Sequence, residues 1–315
     1  MPFVTAFSKA LGTGMVISVD SPIDDKVRSA MESLIEDYEH VLSRFRNDSL
    51  IAAIGKAEHG GSFDFPDWCA PLFDLYDALF SATSGAIDPC VGEDLIRLGY
   101  DASLSFTVTQ DAPEHLGALR GRAVWGRDVT RHGTTLVTHE PVQLDFGACG
   151  KGYLVDLLGR MLQSSQFVID AGGDLLIHAE QPISVALEDP EDQSHAIGIA
   201  HIANGALCAS APSRRHWNVA VNERTQIAIH HLLNAIDGLP AQQTEASWAY
   251  IPANATLNLA RDYPTAVADG LATALFVSDV AQLQRTFDFT YATLDESRQI
   301  AVSRNFPAEL FLRSA

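Results

Sequence analysis

The stretch Leu144-Asp145-Phe146-Gly147-Ala148-Cys149-Gly150-Lys151-Gly152-Tyr153-Leu154-Val155-Asp156 decides how the chain is read. An apolar, strand-like end runs through a glycine-rich turn into a helix predicted over about 152–162. Backbone N–H groups at such a turn are free to face outward, and the helix dipole adds positive potential. Those are the ingredients of a phosphate cradle. Lys151, between two of the glycines, is one of only four lysines in the chain, with Lys9, Lys26 and Lys56. No Gly-x-x-x-x-Gly-Lys-Ser/Thr is present, so the stretch is not a Walker A loop. A tight turn with a solvated lysine is the competing reading.

Upstream, Thr13–Asp20 is short and rich in β-branched residues and reads as a strand. Val27, Ala30, Met31, Leu34, Ile35, Tyr38, Val41, Leu42 and Phe45 recur at three-to-four spacing, which predicts an amphipathic helix of about six turns. A second helix fits Trp68 to Phe80, between Pro66 and Gly85. Residues 101–122 lack periodicity and read as a long loop or insertion. Residues 123–144 suggest a hairpin turning at His132-Gly133. Downstream of the central stretch, apolar runs at 166–170, 174–178, 183–188, 197–203, 216–221 and 226–233 read as mostly antiparallel strands. A buried helix over 265–278 and strand pieces at 290–302 follow. Helices and strands are partly segregated, so the fold class is α+β, a mostly antiparallel sheet with flanking helices. No repeat or low-complexity linker divides residues 1–315, which read as a single domain.

Lysine and arginine total 21 against 40 acidic residues, a net charge of −19. That field repels phosphate backbones and disfavours nucleic acid as a partner. A small anionic ligand stays compatible if local cations or a metal reverse the sign in one pocket. The four cysteines form no C-x-x-C pair, which excludes a zinc ribbon or thioredoxin-like motif and suits a reducing compartment. No apolar run reaches the roughly 18 residues of a transmembrane segment, and no secretory signal is visible at Met1–Gly14, so a cytoplasmic location is expected.

Three further segments could carry chemistry. Ser84-Gly85-Ala86-Ile87-Asp88-Pro89 reads as a helix end and turn. Asp170-Ala171-Gly172-Gly173-Asp174 reads as a hairpin turn between strands. In Ala268-Asp269-Gly270-Leu271-Ala272-Thr273, Asp269 and Thr273 share one helix face. A carboxylate and a hydroxyl so placed can hold a hard cation such as Mg²⁺. A charge inside an apolar helix needs a partner or a metal, and with no partner apparent, Asp269→Ala is expected to leave the fold intact or firmer. His230-His231 follows a strand-like run, where adjacent side chains point to opposite faces. Histidine has a reference pKa of about 6.5, so His231 could accept a proton near neutral pH.

In this order the segments resemble the ApbE family of FAD:protein FMN transferases. Leu42-Ser43-Arg44-Phe45-Arg46-Asn47-Asp48-Ser49 is similar to its Leu-Ser-x-Phe-x-x-x-Ser. Gly85 through Pro89 is similar to its Gly-Ala-Phe-Asp-Pro, and Asp145 through Tyr153 to its Asp-x-Gly-Ala-x-Ala-Lys-Gly-Tyr. Gly172-Gly173-Asp174 and Ala268-Asp269 through Thr273 match almost unaltered. The resemblance implies a T-fold-related architecture, Mg²⁺ dependence, FAD as substrate, and transfer of FMN to Ser or Thr of a target protein with release of AMP. Some members instead hydrolyse FAD to FMN and AMP. By position it implies Ala148 (backbone carbonyl), Asp269 and Thr273 as metal ligands. Ala86, Ile87, Asp88, Asp145, Lys151 and Leu232 would line the FAD site, with His231 near the reacting phosphate.

Other segments depart further from the family pattern. Leu11-Gly12-Thr13 replaces Met-Gly-Thr, Ala209-Ser210-Ala211 replaces Thr-Ser-Gly, and His231-Leu232-Leu233-Asn234-Ala235 replaces His-Ile-Ile-Asp-Pro. The last turns one carboxylate into a neutral amide, and Asn234 with Ala209 points to a non-catalytic flavin-binding protein as one alternative; an FAD pyrophosphatase, which shares every site residue, is the other.

Overall fold

The computed structural model describes residues 1–8, 10–222 and 225–311. Its frame is a nine-stranded antiparallel sheet in which eight strands lie side by side in chain order. They are β1 (Phe3–Phe7), β2 (Met15–Val19), β3 (Phe167–Asp170), β4 (Asp174–Glu188), β5 (Ala196–Ser210), β6 (Thr244–Pro252), β7 (Thr290–Asp295) and β8 (Ile300–Val302). Ala308–Leu310 supplies the ninth, against the first part of β5, whose second part pairs with β6.

Two long excursions leave this meander. Between β2 and β3 the chain builds α1 (Asp25–Leu42), α2 (Ala70–Ala82), α3 (Gly92–Arg97), α4 (Gly150–Gly159) and a three-stranded sheet of Gly61–Asp64, Val129–His132 and Thr135–Thr138. Between β5 and β6 it builds the hairpin His216–Asn222/Thr225–His230 and the short pair Leu233–Asn234/Leu239–Pro240. The helix α5 (Pro264–Ala274) follows β6.

The sheet is buried on both faces, and residue alternation assigns the sides. Ala206, Cys208, Ala249 and Ile251 join the helices in one core, while their neighbours Leu207 and Trp248 join Ile177, Leu294 and Phe306 in another. Two helices on the first side carry the central motifs. The first turns of α4 and α5 approach so closely that a Cβ on Gly152 would stand 2.3 Å from the Thr265 carbonyl oxygen. Asp156 of α4 caps α5, accepting from Thr265 N at 3.1 Å and Ala266 N at 2.8 Å.

Several sequence expectations shift. The first helix stops at Leu42 rather than reaching Phe45, because Ser43 is extended and Arg44 turns inward to pair with Asp145. The runs 174–178 and 183–188 form one strand with an irregular middle. The run 226–233 breaks after His230, so His231 and Leu232 sit in a loop. The helix expected from about 152 begins at Gly150, and the one over 265–278 spans Pro264–Ala274. Within 101–122 lie only the short helix Ala112–His115 and a turn at Ala118–Arg120. Strands Phe3–Phe7, Gly61–Asp64 and Thr244–Pro252 were not legible as strands. The Gly172-Gly173 turn does join β3 to β4, and both glycines have positive φ.

Candidate active site

A cavity of about 1190 Å³ opens where the two excursions meet the sheet. Every residue singled out for the site lines it: Ala86, Ile87, Asp88, Asp145, Ala148, Lys151, His231, Leu232, Asp269 and Thr273. A smaller cavity of about 450 Å³, walled by Thr256, Leu257 and Gln284–Phe289, contains none of them.

The floor is built by α4 and α5. Asp269 accepts the Gly152 N–H at 3.0 Å and lies 3.2 Å from the Lys151 ammonium. Lys151 also lies 2.7 Å from Asp174 Oδ2, at the start of β4. The lysine is therefore not merely solvated, and Asp269 is not unpartnered. Burial alone would lower the Lys151 pKa, but the Asp174 and Asp269 carboxylates outweigh it and hold the ammonium protonated. Burial, then the Asp174 carboxylate, push the Asp269 pKa upward against that ammonium. Two carboxylates thus share one ammonium on the cavity floor. Asp174 Oδ1 is buried with no hydrogen-bond partner in the described structure.

Beside this cluster, Thr273 Oγ1 donates to the Ala148 carbonyl at 3.3 Å and lies 3.5 Å from Ser210 Oγ. A helical threonine usually bonds back within its own helix; this one reaches across to the glycine-rich turn. Among the described residues no group of three or more His, Cys, Asp or Glu side chains could hold a metal. A cation here would rest on one carboxylate, one hydroxyl and one backbone carbonyl. That all-oxygen set, beside the unpartnered Asp174 Oδ1, fits a hard divalent ion that keeps several waters.

The walls come from three segments. Asp145 accepts Gly147 N–H at 2.6 Å through Oδ1 and pairs with Arg44 through Oδ2. The Arg44 guanidinium also lies 4.6 Å from the Tyr100 ring centroid. Asp88 gives one carboxylate oxygen to Cys90 N–H at 2.8 Å and the other to Arg122 at 3.4 Å. The carboxylates of Asp145 and Asp88 are thus committed to protein partners.

The third wall is the loop after His230. His231 Nδ1 stands 3.2 Å from the Arg215 carbonyl oxygen. A carbonyl only accepts, so Nδ1 carries the proton and Nε2 keeps a lone pair. Burial pushes the His231 pKa down to about 4, so the ring is neutral at pH 7, correcting the near-neutral value expected for it.

The departures from the family pattern also have places. Asn234 Oδ1 accepts Ile236 N–H at 3.0 Å, a turn contact that an amide makes as well as a carboxylate. Ala209-Ser210-Ala211 keeps its hydroxyl beside Thr273. Leu11 N donates to Glu39 Oε1 at 2.9 Å and holds the Leu11-Gly12-Thr13 turn on α1.

Sequence reasoning missed three participants. Asp174 ends the Asp170–Asp174 turn, Arg44 lies in Leu42–Ser49, and Arg122 lies in the aperiodic segment 101–122. Their signal was charge beside apolar residues, which has no periodicity to expose it.

The fold is that of solved flavin transferases. The ApbE protein of Thermotoga maritima superposes with a TM-score of 0.79 at 20% identity, covering 98% of this chain and 99% of that one. The flavin transferase ApbE of Vibrio cholerae gives 0.76 at 17% identity, covering 96% and 97%. In sequence, the FAD:protein FMN transferase of Klebsiella pneumoniae (strain 342) is 23% identical over 274 residues, 83% of this chain and 74% of that protein. The protein of the same name from Treponema pallidum (strain Nichols) is 27% identical over 286 residues, 80% of this chain and 72% of that protein. The ApbE family model matches residues 11–293, and the chain belongs to the ApbE family.

Proposed function

We propose that this protein is an FAD:protein FMN transferase that uses Mg²⁺ and attaches FMN to a Ser or Thr hydroxyl of a target protein. The observation that carries the reading is the convergence, on one cavity, of Ala148, Lys151, His231, Asp269 and Thr273 from three distant segments. The acceptor hydroxyl oxygen attacks the FMN phosphorus, the P–O bond to the AMP phosphate breaks, and AMP leaves with the electron pair.

His231 is the base. Its neutral ring, with Nδ1–H fixed on the Arg215 carbonyl, presents Nε2 to take the hydroxyl proton. Lys151, held by two carboxylates, brings fixed positive charge to the pyrophosphate without reorganising. Ala86, Ile87 and Leu232 supply apolar wall to the flavin nucleotide. Asp88 and Asp145 shape that wall through their protein partners. Ala148, Asp269 and Thr273 would hold Mg²⁺, which when bound neutralises charge on the pyrophosphate.

The test mixes the protein with FAD, Mg²⁺ and a flavin-accepting protein. A covalently fluorescent acceptor band with matching AMP is the expected result. AMP and free FMN at the same rate without acceptor would replace the transferase by an FAD pyrophosphatase. Tight FAD retention without AMP at any Mg²⁺ concentration would leave only a flavin-binding protein.

A further inference from the structure

Behind the cavity wall lies a charged cluster that the proposed chemistry does not use. The Arg122 side chain is completely buried, with Nε 2.8 Å from Asp94 Oδ2 and Nη1 3.4 Å from Asp88 Oδ2. It also donates to the Ala235 carbonyl at 2.7 Å through Nη2, and to its neighbour's carbonyl at Ala123. Asp94 Oδ1 accepts Gly117 N–H at 2.8 Å. Ala235 in turn donates its N–H to the Ala86 carbonyl at 3.1 Å. A proline, the family residue at this place, could not make that last bond.

One guanidinium thus ties the turn holding Ala86 and Asp88 to the loop holding His231 and Ala235. These residues belong to two walls of one cavity. Stability is a poor reason for such a cluster. Two carboxylates and one guanidinium are costly to bury, and apolar residues of similar volume often serve a core as well or better. What the cluster supplies is a single relative position for two backbone segments. Arginine donates from one fixed plane to the Asp88 carboxylate and two carbonyls while its charge also faces Asp94, whereas lysine is a point charge with three donors.

We propose that Arg122 is a positioning residue for the flavin nucleotide, locking the Asp88 turn and the His231–Ala235 loop at the spacing that FAD binding requires. The inference rests on the flavin reading above. Arg122 touches no substrate and acts through Asp88 and Ala235.

Two variants test it. Arg122→Lys keeps the charge but cannot span the four partners. Asp94→Asn keeps an acceptor for Gly117 N–H and removes one ion-pair partner. Steady-state transfer assays give KM for FAD and kcat, equilibrium dialysis gives the FAD Kd, and thermal melts report folding. Arg122→Lys should raise both KM for FAD and Kd about tenfold, the worth of one charge-assisted hydrogen bond. The kcat at saturating FAD should fall by less than about threefold, since the base and the Lys151 cluster are untouched. Asp94→Asn should raise KM in the same direction and by less. Variants that melt at lower temperature yet keep wild-type KM and Kd would overturn the proposal, as would failure of both to fold, since the cluster would then serve the fold. Wild-type protein without affinity for FAD would overturn the flavin reading and this proposal together; the other two results overturn this proposal alone.

Discussion

Lys151 and Asp269 are 118 residues apart in the chain, and their charged atoms lie 3.2 Å from each other on the cavity floor. The contact is possible because Gly152 lets α4 close on α5, and because the Gly152 N–H holds the other Asp269 oxygen. The charge that appeared stranded in an apolar helix is therefore engaged twice, and this alters what its removal should do.

Asp269→Ala is expected to abolish Mg²⁺-dependent release of AMP from FAD. It should also lower stability, contrary to the expectation from sequence of an unchanged or firmer fold. The Gly152 N–H is orphaned and Lys151 loses one partner, a loss of about 1–3 kcal/mol. Urea titration of the variant and wild type without metal checks the sign. A variant as stable as wild type would mean that the Lys151 contact contributes nothing.

Thr273→Val should behave differently. The change is nearly isosteric and removes the hydroxyl that meets the Ala148 carbonyl at 3.3 Å. Stability should change by only about 1 kcal/mol. The Mg²⁺ concentration giving half-maximal AMP release should rise, with activity recovered at saturation. Unchanged Mg²⁺ dependence would remove Thr273 from the ligand set.

For His231→Gln, turnover should fall about 10²-fold or more if the ring is the base. A stability signature accompanies it. Burial holds the His231 pKa near 4 in the fold, against about 6.5 unfolded. As pH falls from about 6.5 toward 4 the unfolded chain takes the proton first, so wild type loses stability in that window. The glutamine variant lacks this contribution and should lose less between the same pH values. Urea midpoints at pH 7, 6, 5 and 4 measure the difference. Parallel curves would place His231 in an environment no different from solvent.

Gly152→Ala probes the closeness of the two helices. The new methyl would stand 2.3 Å from the Thr265 carbonyl oxygen, which is backbone and cannot swing aside. Separating α4 from α5 should cost about 1–3 kcal/mol. It should also loosen the Gly152 N–H bond to Asp269, so lower melting temperature and weaker Mg²⁺ response should appear together. Lower stability with an unaltered Mg²⁺ response would separate helix packing from the site.

Local chemistry made much of this protein legible from its sequence. Apolar spacing marks α1 and α2, paired glycines at positive φ mark the β3–β4 turn, and the short motifs mark the segments that wall the cavity. Each depends on residues within a few positions of one another, where helix and turn geometry act directly. The partners of the charged groups were not legible. Lys151 with Asp174 and Asp269, Arg44 with Asp145, and Arg122 with Asp88 and Asp94 join separate segments, and no local periodicity records which will meet. The break after His230 is of the same kind: the apolar run continues through Leu233, but His231 bonds to the Arg215 carbonyl and the chain leaves the hairpin. Sequence determined which groups the protein owns and the local elements that carry them. Only the tertiary structure decided which charges cancel, because that depends on the close approach of α4 and α5 and on two long excursions returning to one end of the sheet.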